Sequence, residues 1–346
     1  MRKLSLLLVI ILTFSLLATA CSSEPAEEPE APAEGEEPTE GEEPAEAGEE
    51  TPEDQFVTIL TGGSSGPYFA LGGALANLIN ENLEYANASV ESTGASAVNS
   101  TKIGNNEAEL ALAMNNVVSF AYEGTESFEE KGEFKNLRGI ASLYPNFVQV
   151  ITVEGTGIES IEDLAGKRVG VGAPGSGTEV DARNVLAAHG ITYDDIDQDY
   201  LSYAESVEQM KNGTVDAAFL TSGLPNSTIM DLSTTNDVVI VPIRPEMVEV
   251  LAEQVPFYSS EIIPAGTYDN QEDVYTAAVK SILISNSELS EQVAYDITKT
   301  LFENLQAMRD THSAANHIDI EKFDEGMPIP LHPGAERYYK EAGVLE

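Results

Sequence analysis

Three runs of small and hydroxylated residues carry the chemistry that this chain's types and spacing allow. Ser64, Ser65, Gly66 and Tyr68 stand in Gly62-Gly-Ser-Ser-Gly-Pro-Tyr-Phe69, and Ser176, Gly177 and Thr178 in Ala173-Pro-Gly-Ser-Gly-Thr-Glu179. Between them, Ser92-Thr-Gly-Ala-Ser96 adds Thr93, Gly94, Ala95 and Ser96. No arginine stands in these loops, so what they offer is backbone N–H and side-chain O–H donors to a group that approaches closely, which suits a carboxylate or phosphate. Two catalytic patterns also match in letters. Gly62-Gly-Ser64-Ser-Gly66 is a G-x-S-x-G with Ser64 in the nucleophile position and His312, His317 and His332 downstream. Gly170, Gly172 and Gly175 form a G-x-G-x-x-G, with Asp194 and Asp195 about 20 residues on. Context weighs against both. The serine follows the first strand of its domain, where a hydrolase elbow follows several. The glycine pattern is stiffened by Pro174 in a segment that leaves the cytoplasm, where no nicotinamide pool is expected. The reading is a binding site with no enzyme activity, no cofactor and no metal.

The elements that hold these loops repeat one plan: a short apolar strand, the loop, then a helix. Strand 56–61 leads through the first loop to a helix over 67–83, with Pro67 at a position a helix start tolerates and Tyr68, Leu71, Leu75, Leu78, Ile79 and Leu83 on one face. Tyr68 serves the helix core or covers a ligand; its spacing fits both. Strand 169–171 leads to a helix over 178–188, capped by Ser176 or Thr178. Strand 88–92 opens into the loop of Thr93 to Ser96. A helix N-terminus behind a small-residue loop places a positive dipole end and free N–H groups toward an anion.

The rest of the chain alternates in the same way. Strand 109–114 precedes a helix over 115–122; strands 137–143 and 147–153 flank Tyr144-Pro-Asn146; a short helix covers 160–164 and another 203–211. Strands follow at 215–220, 238–241 and 277–284, and a long amphipathic helix over 290–308 buries Val293, Ile297, Leu301, Phe302 and Leu305. The segment from Ile103 to Ala113 resembles that from Met210 to Leu220: a helix end, a turn, an acid and a buried strand. Each strand opens into a polar loop, which adds Asn115 on one side and Ser222 on the other to the candidate residues. The alternation predicts an α/β fold with largely parallel sheets, and two similar lobes with a ligand cleft between them.

The N-terminal residues read differently. Met1-Arg-Lys3, the apolar run 4–17 and Ala18-Thr-Ala20 form a signal peptide over 1–20, ending at Cys21, the only cysteine. Small residues directly before a lone cysteine fit a bacterial lipoprotein signal, with Cys21 acylated and the mature chain anchored to the outer face of the cell membrane. Residues 21–54 are low-complexity Glu, Pro, Ala, Gly and Thr and predict a disordered acidic tether. The formal net charge is −42; without the leader and tether, 44 acids face 15 basic residues, leaving −29. That charge excludes nucleic acid as a partner and adsorption of the domain on an anionic bilayer.

Taken together and in order, the three loops and the terminal Pro330-Leu-His-Pro-Gly-Ala-Glu-Arg-Tyr-Tyr-Lys340 resemble the TAXI-type solute receptors of tripartite ATP-independent periplasmic (TRAP) transporters. The resemblance covers 55–346. It implies a two-lobed, type II periplasmic-binding-protein-like α/β fold with the cleft between lobes, lobe 1 at 55–145, lobe 2 at 146–275 and a return to lobe 1 at 276–346. It also implies a small carboxylate ligand resembling glutamate, glutamine or 2-oxoglutarate, and an integral membrane TRAP permease as partner. Met114-Asn-Asn116 stands where a glutamine-rich loop is expected of that family. A serine hydrolase using Ser64, or a ligand sensor with no transport role, are the competing expectations.

Overall fold

A computed structural model describes residues 54–346. The proposed signal peptide, Cys21 and the tether lie outside these residues.

The first half of the chain follows the strand–loop–helix plan: β1 (Gln55–Leu60), α1 (Pro67–Asn82), β2 (Ala86–Glu91), α2 (Ser96–Gly104), β3 (Leu110–Met114) and α3 (Asn115–Glu123). The long β4 (Leu137–Val153) comes next, then β5 (Arg168–Gly170), α4 (Gly177–Ala188), β6 (Asp197–Asp199), α5 (Tyr203–Lys211) and β7 (Ala217–Ser222). After these come α6 (Ser227–Ser233), β8 (Val238–Val241), α7 (Pro245–Gln254), β9 (Ser259–Ile263) and β10 (Val274–Asn286). The chain closes with α8 (Glu291–Glu303), α9 (Leu305–Thr311) and α10 (Pro333–Glu341).

All ten strands join one mixed sheet of order β2-β1-β3-β10-β4-β7-β5-β6, with β8 beside β4 and β9 beside β10. The expectation of largely parallel sheets holds only at the ends. Strands β1, β2 and β3 pair in parallel, as do β5, β6 and β7. The middle is antiparallel, because β4 and β10 run the length of the sheet against each other from Leu137–Asn286 to Phe147–Ala278. Each long strand pairs with β3 or β7 on its far side. Thus two parallel α/β ends are joined by a two-stranded antiparallel ribbon.

Two further expectations are corrected. The segments 137–143 and 147–153 are one strand, and Pro145 does not break it. At Pro145 the strand has β10 as its neighbour, opposite Lys280, while pairing with β7 starts only at Phe147. A missing N–H is tolerated where one side of a strand is unpaired. The helix expected over 290–308 is two, α8 and α9, divided at Asn304, whose backbone (φ −121°, ψ 27°) leaves the helix. Leu305 and Met308 keep the apolar spacing across the break, which conceals it in sequence.

Three buried apolar clusters fill the layers. One lies under α1, α8 and α10, a second under α2, α3, α4 and α7, and a third under α5 and α6.

Candidate functional site: a neutral cavity ringed by helix N-termini

The loops at the C-terminal ends of β1, β2, β3, β5 and β7 meet around a cavity of about 120 Å³. Five helices start on its wall. Their N-cap residues are Gly66 for α1, Ala95 for α2, Met114 for α3, Ser176 for α4 and Ser202 for α5, and all five line it. Each helix start leaves N–H groups without an intrahelical partner and carries the positive end of the helix dipole. In α4, Ser176 Oγ accepts the Glu179 N–H at 3.1 Å, which leaves those of Gly177 and Thr178 as the first-turn donors facing the cavity. Ala95 holds a positive φ of 70°, unusual for alanine, at the turn that aims α2.

The expected site residues mostly meet. Ser65, Gly66, Tyr68, Thr93, Gly94, Ala95, Ser176, Gly177, Thr178 and Ser222 all line the cavity. Three expected residues do not. Ser64 sits on an exposed turn outside the lining. Ser96 is fully buried one layer back, where its Oγ accepts the Met114 N–H at 3.1 Å. Asn115 is a strut: its Nδ2 donates to Gly326 O at 2.9 Å and its Oδ1 accepts the Lys280 N–H at 3.1 Å.

Sequence reading missed Gly63, Met114, Asn146, Ser202, Tyr203 and Thr221, which also line it. Ser202 had a readable signal, since Ser202-x-x-Glu205 is a capping box, and Glu205 does return a bond to the Ser202 N–H at 2.8 Å. Asn146 had none. It comes from the middle of β4, where its Nδ2 donates to Tyr68 Oη at 3.1 Å.

Tyr68 belongs both to the core and to the cavity wall. It is 7 % exposed, meets Tyr144 edge-on at 6.5 Å between ring centres, and burial pushes its hydroxyl up to about 12. Tyr203 spans the opposite strands: its hydroxyl donates to Thr221 O at 2.7 Å and pairs with Thr178 Oγ1 at 2.9 Å. Thr93 Oγ1 fixes its loop by accepting the Ala95 N–H at 2.9 Å.

The 92–96 loop and the 173–179 loop touch each other. Gly175 O accepts the N–H groups of Ala97 and Val98 at 3.1 and 3.4 Å, which ties the α4 loop to the start of α2. A Cβ on Gly94 would stand 2.8 Å from Pro174 O, and one on Gly177 would stand 2.3 Å from Met114 Sδ. Glycine is required at both places by close approach.

Among the described residues no Lys, Arg, His, Asp or Glu lines the cavity. Behind its wall lies one carboxyl, Asp181, fully buried on α4. Its Oδ1 accepts from Tyr258 Oη at 2.6 Å and from Asn116 Nδ2 of α3 at 2.8 Å. Burial is the largest influence on it and pushes its pKa up to about 6, against the lowering effect of Tyr258, Asn116 and Thr221.

Among the described residues no histidine bonds to Ser64. His312 and His332 each accept a following backbone N–H through Nδ1, at 3.1 Å from Ala314 and 3.2 Å from Gly334. His189 Nδ1 lies 2.8 Å from Val185 O at the end of its helix.

Among solved structures the fold is that of periplasmic binding proteins. A protein of Bordetella bronchiseptica RB50 aligns with a TM-score of 0.50 at 14 % identity, covering 83 % of this chain and 98 % of its own. PhnD1 of Prochlorococcus marinus (MIT 9301), solved with methylphosphonate, aligns with a TM-score of 0.50 at 11 % identity, covering 76 % and 90 %. The periplasmic aliphatic sulphonate binding protein SsuA of Escherichia coli aligns with a TM-score of 0.47 at 16 % identity, covering 84 % and 83 %. The NMT1-like family model matches residues 59–343, a span that holds every loop of the cavity, and the chain therefore belongs to the NMT1-like family.

Proposed function

We propose that the chain is an extracytoplasmic solute-binding receptor that captures a small carboxylate of the size of glutamate, glutamine or 2-oxoglutarate and delivers it to a membrane permease. The observation that carries this reading is the convergence of five helix N-termini on one cavity with no side-chain charge. Such a wall stabilises a buried anion through N–H groups and hydroxyls, and Tyr68, Met114 and Tyr203 cover its apolar part. The methylphosphonate bound by PhnD1 makes a small oxyanion of another kind the second ligand class to test.

In this reading 55–145 with 276–346 form one lobe and 146–275 the other, and β4 and β10 are the ribbon about which they close. An anion bridging the α1, α2 and α4 N-termini makes its full set of contacts only in the closed form, so it shifts the population toward closure. The resemblance to TAXI-type receptors supports a TRAP permease as the partner. Acylation at Cys21 would hold the receptor beside it.

Native mass spectrometry of the protein purified from rich medium tests the reading. The expected result is a co-purified small anion. A bound dinucleotide or cation in its place would overturn it. A permease gene beside this one identifies the partner: a TRAP permease supports the assignment, and an ABC importer overturns it.

A further inference from the structure

Thr221 Oγ1 in the cavity wall and Asp181 Oδ2 behind it are buried polar atoms with no hydrogen-bond partner. Thr221 is 2 % exposed, lines the cavity and lies beside Asp181, close enough for its hydroxyl to draw the carboxyl's pKa down although no hydrogen bond is formed between them. A carboxylate with one bare oxygen in the protein interior is costly, and so is a bare hydroxyl next to it. The Thr221 hydroxyl can turn its own proton toward the carboxyl and so favours the ionised form, but burial outweighs it.

The position of Asp181 ties its protonation to the site. It lies on α4 one turn beyond Thr178, so an anion held on the Gly177 and Thr178 N–H groups sits within roughly one helical pitch, ~5–6 Å, of the carboxyl. Like charges that close in a dry interior oppose each other strongly. The groups that face Asp181 are Tyr258, Asn116 of α3 and Thr221 of β7, with Tyr68 of α1 and Tyr203 of α5 within electrostatic reach, and Glu179, another carboxylate, adds to the repulsion. Among the described residues Asp181 forms no ion pair, and Arg183, the cation on its own helix, is held by Glu126 and Glu179.

We propose that the cavity takes its anion together with one proton from solution, which lands on the buried Asp181 carboxyl at Oδ2, the oxygen with no partner. This inference rests on the anion-receptor reading above and adds the proton to it. It makes affinity a function of pH: the anion binds best where Asp181 is already protonated or readily becomes so. The ionised carboxyl above about pH 6 must then take up a proton on binding.

The test is calorimetric titration of sodium glutamate, and separately 2-oxoglutarate, into the full chain at pH 6.5, in two buffers of different ionisation enthalpy. Wild type is expected to take up roughly half to one proton per anion, with affinity falling up to about tenfold per pH unit above pH 6. Asp181→Asn, which keeps the shape and cannot ionise, is expected to bind with no proton uptake and a flat pH profile. Thr221→Val, which removes a hydroxyl that favours the ionised carboxyl, is expected to move the onset of the pH dependence upward. Wild-type binding without proton uptake, or the same pH slope in Asp181→Asn, would overturn the proposal. If neither probe binds, the carboxylate-ligand reading fails on its own account. The proton is then followed in the ligand-free chain by the carbon-13 resonance of the Asp181 carboxyl, assigned by its loss in Asp181→Asn. A titration midpoint near 6 supports the proposal, and one near the ordinary carboxyl value of about 4 overturns it.

Discussion

Asp181 and Ser176 sit five residues apart, yet their side chains act on stability in opposite directions. A carboxyl whose folded pKa exceeds its unfolded one binds its proton more tightly in the folded state. Stability is therefore greatest below the unfolded value of about 4 and falls as pH rises through the folded value of about 6. At pH 7.5 the buried carboxylate costs on the order of 2–3 kcal/mol. Asp181→Asn should raise the urea midpoint at pH 7.5 and leave it nearly unchanged at pH 4; an equal shift at both would show that packing, not charge, is responsible. Ser176 works the other way. Its Oγ caps α4, so Ser176→Ala should cost about 1 kcal/mol even without ligand, measured by the same unfolding experiment. The hydroxyl is therefore a structural group first, and any loss of affinity in that variant must be read after subtracting the loss of the cap.

At the scale of elements, the tightest joint is the start of α10 against α8. A Cβ on Gly334 would stand 2.1 Å from Glu291 O and 2.6 Å from Tyr295 N. Those atoms are helix backbone and cannot move aside singly. Gly334→Ala should therefore lower stability by about 2–3 kcal/mol in denaturant unfolding, and a neutral result would mean that α10 can lift off α8. The same joint shows what sequence can and cannot convey. The strand–loop–helix units were legible, because strand and helix periods are local and the loops are rich in residues that serve turns and caps. That is why ten of the thirteen proposed ligand-binding residues line one cavity. What was not legible is set by pairing between distant strands. Asn146 reaches the cavity only because β4 lies between β10 and β7, and no local pattern reports that. Pro145 read as a break because its tolerance depends on which side of β4 is unpaired. Asn115 looked like a site residue since it follows a strand end, but its amide is turned to Gly326 and Lys280, far along the chain.

At the scale of the molecule, two properties stand out: the excess of acid and the contact between the 92–96 and 173–179 loops. The formal charge of −29 on residues 55–346 makes the folded state self-repelling, and salt screens that repulsion. Raising NaCl from about 0.05 to 1 M, over which the screening length falls from more than 10 Å to about 3 Å, should raise the melting temperature, and a fall would contradict the electrostatic account. The loop contact bears on closure. Gly175 O holds the start of α2, and Gly94 packs against Pro174 O with no room for a side chain. Gly94 does not need the left-handed backbone, so a larger residue there is strained by the neighbouring loop first and by Val98 of its own segment second. A Cβ would stand 2.8 Å from Pro174 O and 3.1 Å from Val98 Cγ2. Gly94→Val should therefore leave each parallel end of the sheet folded and keep the loops apart. Its ligand-free melting temperature should stay close to wild type, and its ligand-free scattering radius should be no smaller. The ligand identified by native mass spectrometry should contract the wild type and fail to contract the variant. Affinity should fall at least about tenfold, since a ligand whose contacts require the closed form loses whatever free energy is needed to reach it. Contraction of Gly94→Val with wild-type affinity would show that the approach of these two loops is not what holds the ligand.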